Sequence, residues 1–231
     1  EGIGSHIILV TGGNVYQWDG STLTEGTDGD FESPNSCAHL NNQMIFDGNG
    51  GRFGTSDVGE ALNINGLNYA TAESNADNLN RVYAFNQLAY MIGDKTIETW
   101  WNSGIGKPPF DRVEGGIIPI GSLAPFSAAN DDEFLYVFAS DHQVYAINGS
   151  NAQVITPYAI TREFSSYSTK DDAIGWCMNL FGHWMYVLTF PVAQKTWIYP
   201  KGGEWFEWTS GQEALRSCAN SYAFAFGKHL V

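Results

Sequence analysis

The residues best equipped for chemistry in this chain are carboxylates that fall in adjacent pairs, Asp131 with Asp132 and Asp171 with Asp172. Two acids brought together from separate segments can act as acid and base in glycoside cleavage. Adjacent aspartates in polar stretches have a plainer use, accepting hydrogen bonds from the backbone of a turn, and these positions fit that use better. Asp28-Gly-Asp30 and Asp47-Gly-Asn-Gly-Gly51 set oxygen ligands at alternate positions, as calcium loops do. Neither supplies the closing bidentate Glu at the required distance, so a tight turn is expected at both. His6, His39, His142, His183 and His229 are scattered without a His-x-x-x-His pair, and Cys-x-x-Cys does not occur, so the zincin and zinc-ribbon patterns are excluded. Gly-x-Ser-x-Gly, a Walker loop and a dinucleotide fingerprint are likewise missing. Trp100, Trp101, Trp205 and Trp208 can stack on sugars or anchor a partner, because an aromatic ring gives a large contact area at small entropic cost. Core packing is their competing use. No residue is assigned a catalytic, cofactor-binding or metal-ligating role, and no cofactor is expected.

The elements that must position these groups are small sheets. A short apolar strand, a tight polar or Gly turn and a second apolar strand recur at Cys37 to Phe46, Arg81 to Ile92, Phe126 to Phe138, Cys177 to Leu188 and Cys218 to Gly227. The turns fall near Asn41, Asn86, Asp131, Gly182 and Ser221, at spacings of about 45, 45, 51 and 39 residues, the period of a four-stranded propeller blade. His6 to Gly20 reads as a partial blade, with turns at Gly12-Gly13-Asn14 and Asp19-Gly20. The expected fold class is therefore all-β, a β-propeller of about five to six four-stranded blades, the last incomplete. It reads as a single domain over residues 1–231, a fragment of a longer chain, since Tyr222 to Val231 stops as another hairpin begins. Ala61 to Asn80 is polar and weakly patterned, which suits a long loop or one helical turn. Brief helices are expected only at Ile160 to Ser168 and Glu213 to Arg216, and Asp111 to Gly121 reads as an outer strand with its link to the next blade.

Charge narrows the function. With 25 acidic against 11 basic side chains the net charge is −14, so counterion release from a nucleic-acid backbone cannot drive binding to this surface as a whole. No run of about 18 apolar residues occurs, and Glu1 to His6 shows no charged n-region or apolar h-region, so no membrane or secretion signal is read. Cys37, Cys177 and Cys218 each sit shortly before the turn of their repeat, at comparable positions on equivalent strands of different blades. Such strands lie too far apart for disulfides, so free, buried thiols and a reducing compartment are expected. A sialidase-type site needs an arginine triad and Ser-x-Asp-x-Gly-x-Thr-Trp boxes, and Ser56-Asp57-Val58-Gly59 lacks the rest of that box. Trp-Asp and Kelch signatures of scaffold propellers are also missing.

Three ordered pieces carry a family resemblance: Thr96-Ile-Glu-Thr-Trp-Trp-Asn-Ser-Gly104; Val144 to Gly149 followed by Ile155-Thr-Pro-Tyr-Ala-Ile-Thr-Arg-Glu163 and Ser166-Tyr167; and Thr196-Trp-Ile-Tyr199 leading to Glu204-Trp-Phe-Glu-Trp-Thr-Ser-Gly211. In order and spacing the stretch from Thr96 to Gly211 resembles the packaged-DNA stabilisation, or tail-hub, proteins of short-tailed bacteriophages. The resemblance implies a structural, non-enzymatic virion protein made in the bacterial host cytoplasm and carried in the tail. It further implies a ring in the full-length protein that closes the portal channel, with the portal or its adaptor and a tail needle or tailspikes as partners. DNA is met only in passage through the channel. A carbohydrate-binding or glycan-cleaving propeller is the alternative.

Overall fold

The computed structural model describes residues 6–30, 33–72, 78–211, 215–225 and 227–230. The chain divides after Gly121 into two compact units.

The first unit holds three antiparallel sheets in chain order. β1 (Ile7–Val10), β2 (Val15–Trp18) and β3 (Leu23–Glu25) form a three-stranded sheet. β4 (Cys37–Leu40), β5 (Gln43–Asp47), β6 (Arg52–Asp57) and β7 (Glu60–Thr71) form a four-stranded one, as do β8 (Leu79–Phe85), β9 (Leu88–Gly93), β10 (Ile97–Asn102) and β11 (Phe110–Ile118). Every strand pairs with its sequence neighbour, the meander of a propeller blade. The sheets pack face to face through alternate residues. Val15, Met44, Phe46 and Ile64 gather between the first pair, and Leu40, Ile45, Phe53, Val82 and Met91 between the second.

The second unit repeats the plan. β12 (Ala129–Asn130), β13 (Leu135–Phe138), β14 (Val144–Asn148) and β15 (Asn151–Val154) make one four-stranded sheet. After helix α1 (Tyr158–Ser166), β16 (Ile174–Leu180), β17 (His183–Phe190), β18 (Lys195–Pro200) and β19 (Phe206–Glu207) make another. Two short hairpins follow, β20 (Thr209–Ser210) with β21 (Leu215–Arg216), and β22 (Ala223–Ala225) with β23 (Lys228–Leu230). Phe164 of α1 is fully buried against Phe138, Phe190, Trp197 and Trp205, so the helix plugs the aromatic core of this unit. At Gly175 the sheets approach so closely that a Cβ would lie 2.0 Å from the Ser127 carbonyl oxygen. The fold class is thus the all-β propeller, with four complete four-stranded blades among the described residues.

The turns explain why these strands pair. Asn41-Asn42, Asn86-Gln87 and Phe181-Gly182 each link two strands with both turn residues at positive φ, the type I′ geometry whose twist matches that of a hairpin. Elsewhere the structure departs from the sequence reading. Ala61 to Thr71 is strand, not loop or helix, because β7 is an outer strand held by its ladder to β6 with little apolar surface to bury. Residues 73–77 of that stretch lie outside the described residues. The helix begins at Tyr158, set by Pro157 at its N-cap, and Leu215–Arg216 is strand, with 213–214 undescribed. In the last repeat the strand runs over Ala223–Ala225, so the reversal falls near Gly227 instead of Ser221.

Candidate functional site

The aspartate pairs are absorbed by their own turns. Oδ1 of Asp131 accepts the backbone N–H groups of Glu133 and Phe134, each at 2.7 Å, and Oδ2 accepts the Tyr136 hydroxyl at 2.7 Å. Lys201, at the end of β18, lies 3.6 Å from Asp131, 2.6 Å from Asp132 and 3.0 Å from Glu133, tying one sheet of the second unit to the turn of the other. Burial and the bond to Asp131 push the Tyr136 hydroxyl far above its ordinary range. Asp131 is therefore a buried anchor with its lone pairs committed, an unsuitable general base. Asp172 accepts the Val192 N–H at 2.7 Å, and Asp171 is exposed.

The two segments read as calcium-type loops meet at one place. Between Gly54↔Tyr69 and Ser56↔Ile64 the ladder of β6 and β7 passes one residue on β6 against four on β7, so Asn65 to Asn68 bulge outward. The bulge is pinned from the loop after β3. Asp28 Oδ2 accepts the Ile64 N–H at 3.1 Å and Asp30 Oδ2 the Gly66 N–H at 2.6 Å. Gly66 is obligatory, since a Cβ there would meet the Asp30 carboxylate at 2.7 Å. A cavity of about 180 Å³ lies under the bulge, reached by Asp30, Asp47, Arg52 and Asn68 over a floor of Phe53 and Ile64. Asp47 Oδ1 accepts the N–H groups of Asn35 and Ser36 at 2.9 and 2.7 Å, and burial raises its carboxyl above the usual range. The Arg52 guanidinium lies 3.9 Å over the Tyr69 ring. Among the described residues no three His, Cys, Asp or Glu side chains are grouped to hold a metal.

Three of the four tryptophans go to packing. Trp100 lies edge-on to Phe53 and donates to Glu98 at 3.1 Å, Trp205 donates to the Ile155 carbonyl at 2.9 Å, and Trp208 is tilted against Trp176. Trp101 is exposed. Cys37 and Cys177 occupy the same place in their sheets, each three ladder pairs from its turn. Burial, with the Asp47 charge nearby, pushes the Cys37 thiol up to about 11, and burial raises Cys177 further, so both stay protonated and unreactive. Cys218 is a correction: it lies outside any strand and is exposed, because the last hairpin begins later than the repeat pattern suggests. His142 bonds Ser165 at 3.1 Å and His229 bonds Tyr222 at 2.7 Å. Sequence reasoning missed Lys201, Arg52, Asn68 and Glu98, a carboxylate 1% exposed with Arg112 at 3.7 Å. Only chain proximity in space picks these out, although the Glu98-Thr-Trp100 alternation did put Glu98 and Trp100 on one face.

These sites serve a repeated-sheet fold, and the sequence matches one family of that kind. The Phage_stabilise family, described as bacteriophage P22 Gp10, beta-propeller, matches residues 4–228. The chain belongs to this family. Membership makes it a phage structural protein of β-propeller fold. No curated relative matches. Among solved structures the chain is similar to BamB from Moraxella catarrhalis, at a TM-score of 0.60 and 7% identity over 98% of this chain and 63% of that one. It is also similar to the dihydro-heme d1 dehydrogenase NirN (TM-score 0.53, 13% identity, 84% and 42% covered) and to human WBSCR16 (0.50, 9%, 85% and 59%). At such identities the likeness is one of fold alone. The chain spans less than two thirds of the length of each of these structures.

Proposed function

We propose that this protein is a non-enzymatic structural subunit of a phage head-to-tail hub, which closes the portal channel, stabilises packaged DNA and docks other tail proteins. The observation that carries the reading is the family match across residues 4–228. In the full-length protein the propeller assembles into a ring under the portal or its adaptor and offers sites to a needle or tailspikes, in the tail of the virion. The net charge of −14 supports a role in which DNA passes without being held, since an acidic wall repels phosphates. The commitment of Asp131 and Asp172 to backbone groups supports a structural role over glycan cleavage.

Electron microscopy of the full-length protein mixed with its portal tests the proposal. Rings seated beneath the portal are the expected result. A protein that remains monomeric beside bare portals overturns it, as does turnover of model glycosides.

A further inference from the structure

The cavity under the β7 bulge is not used by a hub role, and its walls have the character of a binding site. We propose that it binds one neutral sugar residue, a single pyranose unit of a glycan. Three observations point there, all within the first unit.

Size comes first. A volume of about 180 Å³ holds roughly six waters, which suits one pyranose and excludes an oligosaccharide. Next is an unmet acceptor. Asn68 is 8% exposed and lines the cavity, and among the described residues its buried Oδ1 accepts no hydrogen bond from the protein. A buried amide oxygen left unmet is costly, so a donor entering the cavity is favoured. The balance of the wall is the third. The Asp30 and Asp47 carboxylates face the cavity together with the Arg52 guanidinium, over apolar Phe53 and Ile64. Acceptors and donors side by side match hydroxyls, which both give and take hydrogen bonds, and an apolar floor suits the C–H face of a sugar ring.

A cation fits less well. Arg52 opposes it, Oδ1 of Asp47 already takes two backbone N–H groups, and no cluster of three acidic or His/Cys ligands stands among the described residues. The site is also preorganised, because Asp28 and Asp30 clamp the bulge through Ile64 and Gly66.

Saturation-transfer difference NMR on the protein with the methyl glycosides of glucose, galactose, mannose and N-acetylglucosamine tests this. The expected result is transfer to at least one glycoside, with affinity at least tenfold weaker in Asn68→Leu. That variant should keep its fold, since an apolar side chain of similar size removes a buried unmet amide. Arg52→Gln, closer to the rim, gives a second reading should Asn68→Leu fold poorly, with the same direction expected. Transfer to none of the glycosides overturns the proposal, as does transfer unchanged in both variants. A rise in melting temperature with CaCl2 alone, reversed by EDTA and without sugar transfer, assigns the cavity to a cation and overturns it too. Because these outcomes concern the first unit's cavity alone, they stand apart from the success or failure of the hub reading.

Discussion

Phe181 is at odds with its surroundings twice. It occupies the first place of a type I′ turn at φ 53°, where the equivalent turns carry Asn41 and Asn86, and it is 89% exposed. A bulky side chain gains nothing from the left-handed region, whereas Asn tolerates it through local hydrogen bonding. Phe181→Asn is therefore expected to stabilise the protein by about 1 kcal/mol, read as a higher urea midpoint. An unchanged or lowered midpoint would show that the exposed ring contributes contacts, among them its approach to His229, that outweigh the strain. Gly175 is the opposite case. An added Cβ would meet the Ser127 carbonyl at 2.0 Å and the Tyr186 hydroxyl at 2.9 Å, so Gly175→Ala should cost about 3 kcal/mol or more, measured by the same denaturation curve.

At the scale of elements, the turn between β12 and β13 depends on Asp131. Asp131→Ala removes three hydrogen bonds and strands two backbone N–H groups and the buried Tyr136 hydroxyl, an expected loss of about 3 kcal/mol. Lys201→Met should cost less, about 1–2 kcal/mol, between the values for exposed and buried ion pairs, because Lys201 is 28% exposed while Asp131 is 1% exposed. Equal losses in thermal unfolding would count against this ranking. The turns and the strands beside them were legible in the sequence because Asn, Gly and alternating apolar residues act locally. β7 was not, since an outer strand buries little and its polar run carries no period. The catalytic look of the aspartate pairs dissolved for a related reason: the turn reading was available from neighbours in sequence, but Lys201 reaches Asp131 only through the fold. The cavity was half legible. Both of its aspartate segments stood out, while Asn68 and Arg52 carried no pattern that joined them.

For the molecule as a whole, ionisation sets an alkaline limit. The Cys37 thiol rises from 9.0 to about 11 on folding, so the protonated form is favoured in the native state. Its contribution is fully present below pH 9.0 and is lost as pH climbs through about 11. Burial and the Asp141 bond likewise lift Tyr145 up to about 12, extending the loss. Under reducing conditions stability should decline across that window, with a shallower decline in Cys37→Ala; parallel curves would remove the thiol as its source. The net charge of −14 leads to another expectation, that the protein does not retard duplex DNA in gels at about 150 mM salt, a retarded band being the contrary outcome.

The bulge in β7 has a meaning beyond its present occupant. Pairing with β6 resumes on both sides, at Tyr69 and at Ile64, so the number of residues between them is decoupled from the ladder that holds the blade. Such a segment can be lengthened, shortened or rewritten without moving its neighbours. In an evolving lineage or a redesigned protein, it is a spot where new recognition can be written onto an unchanged frame.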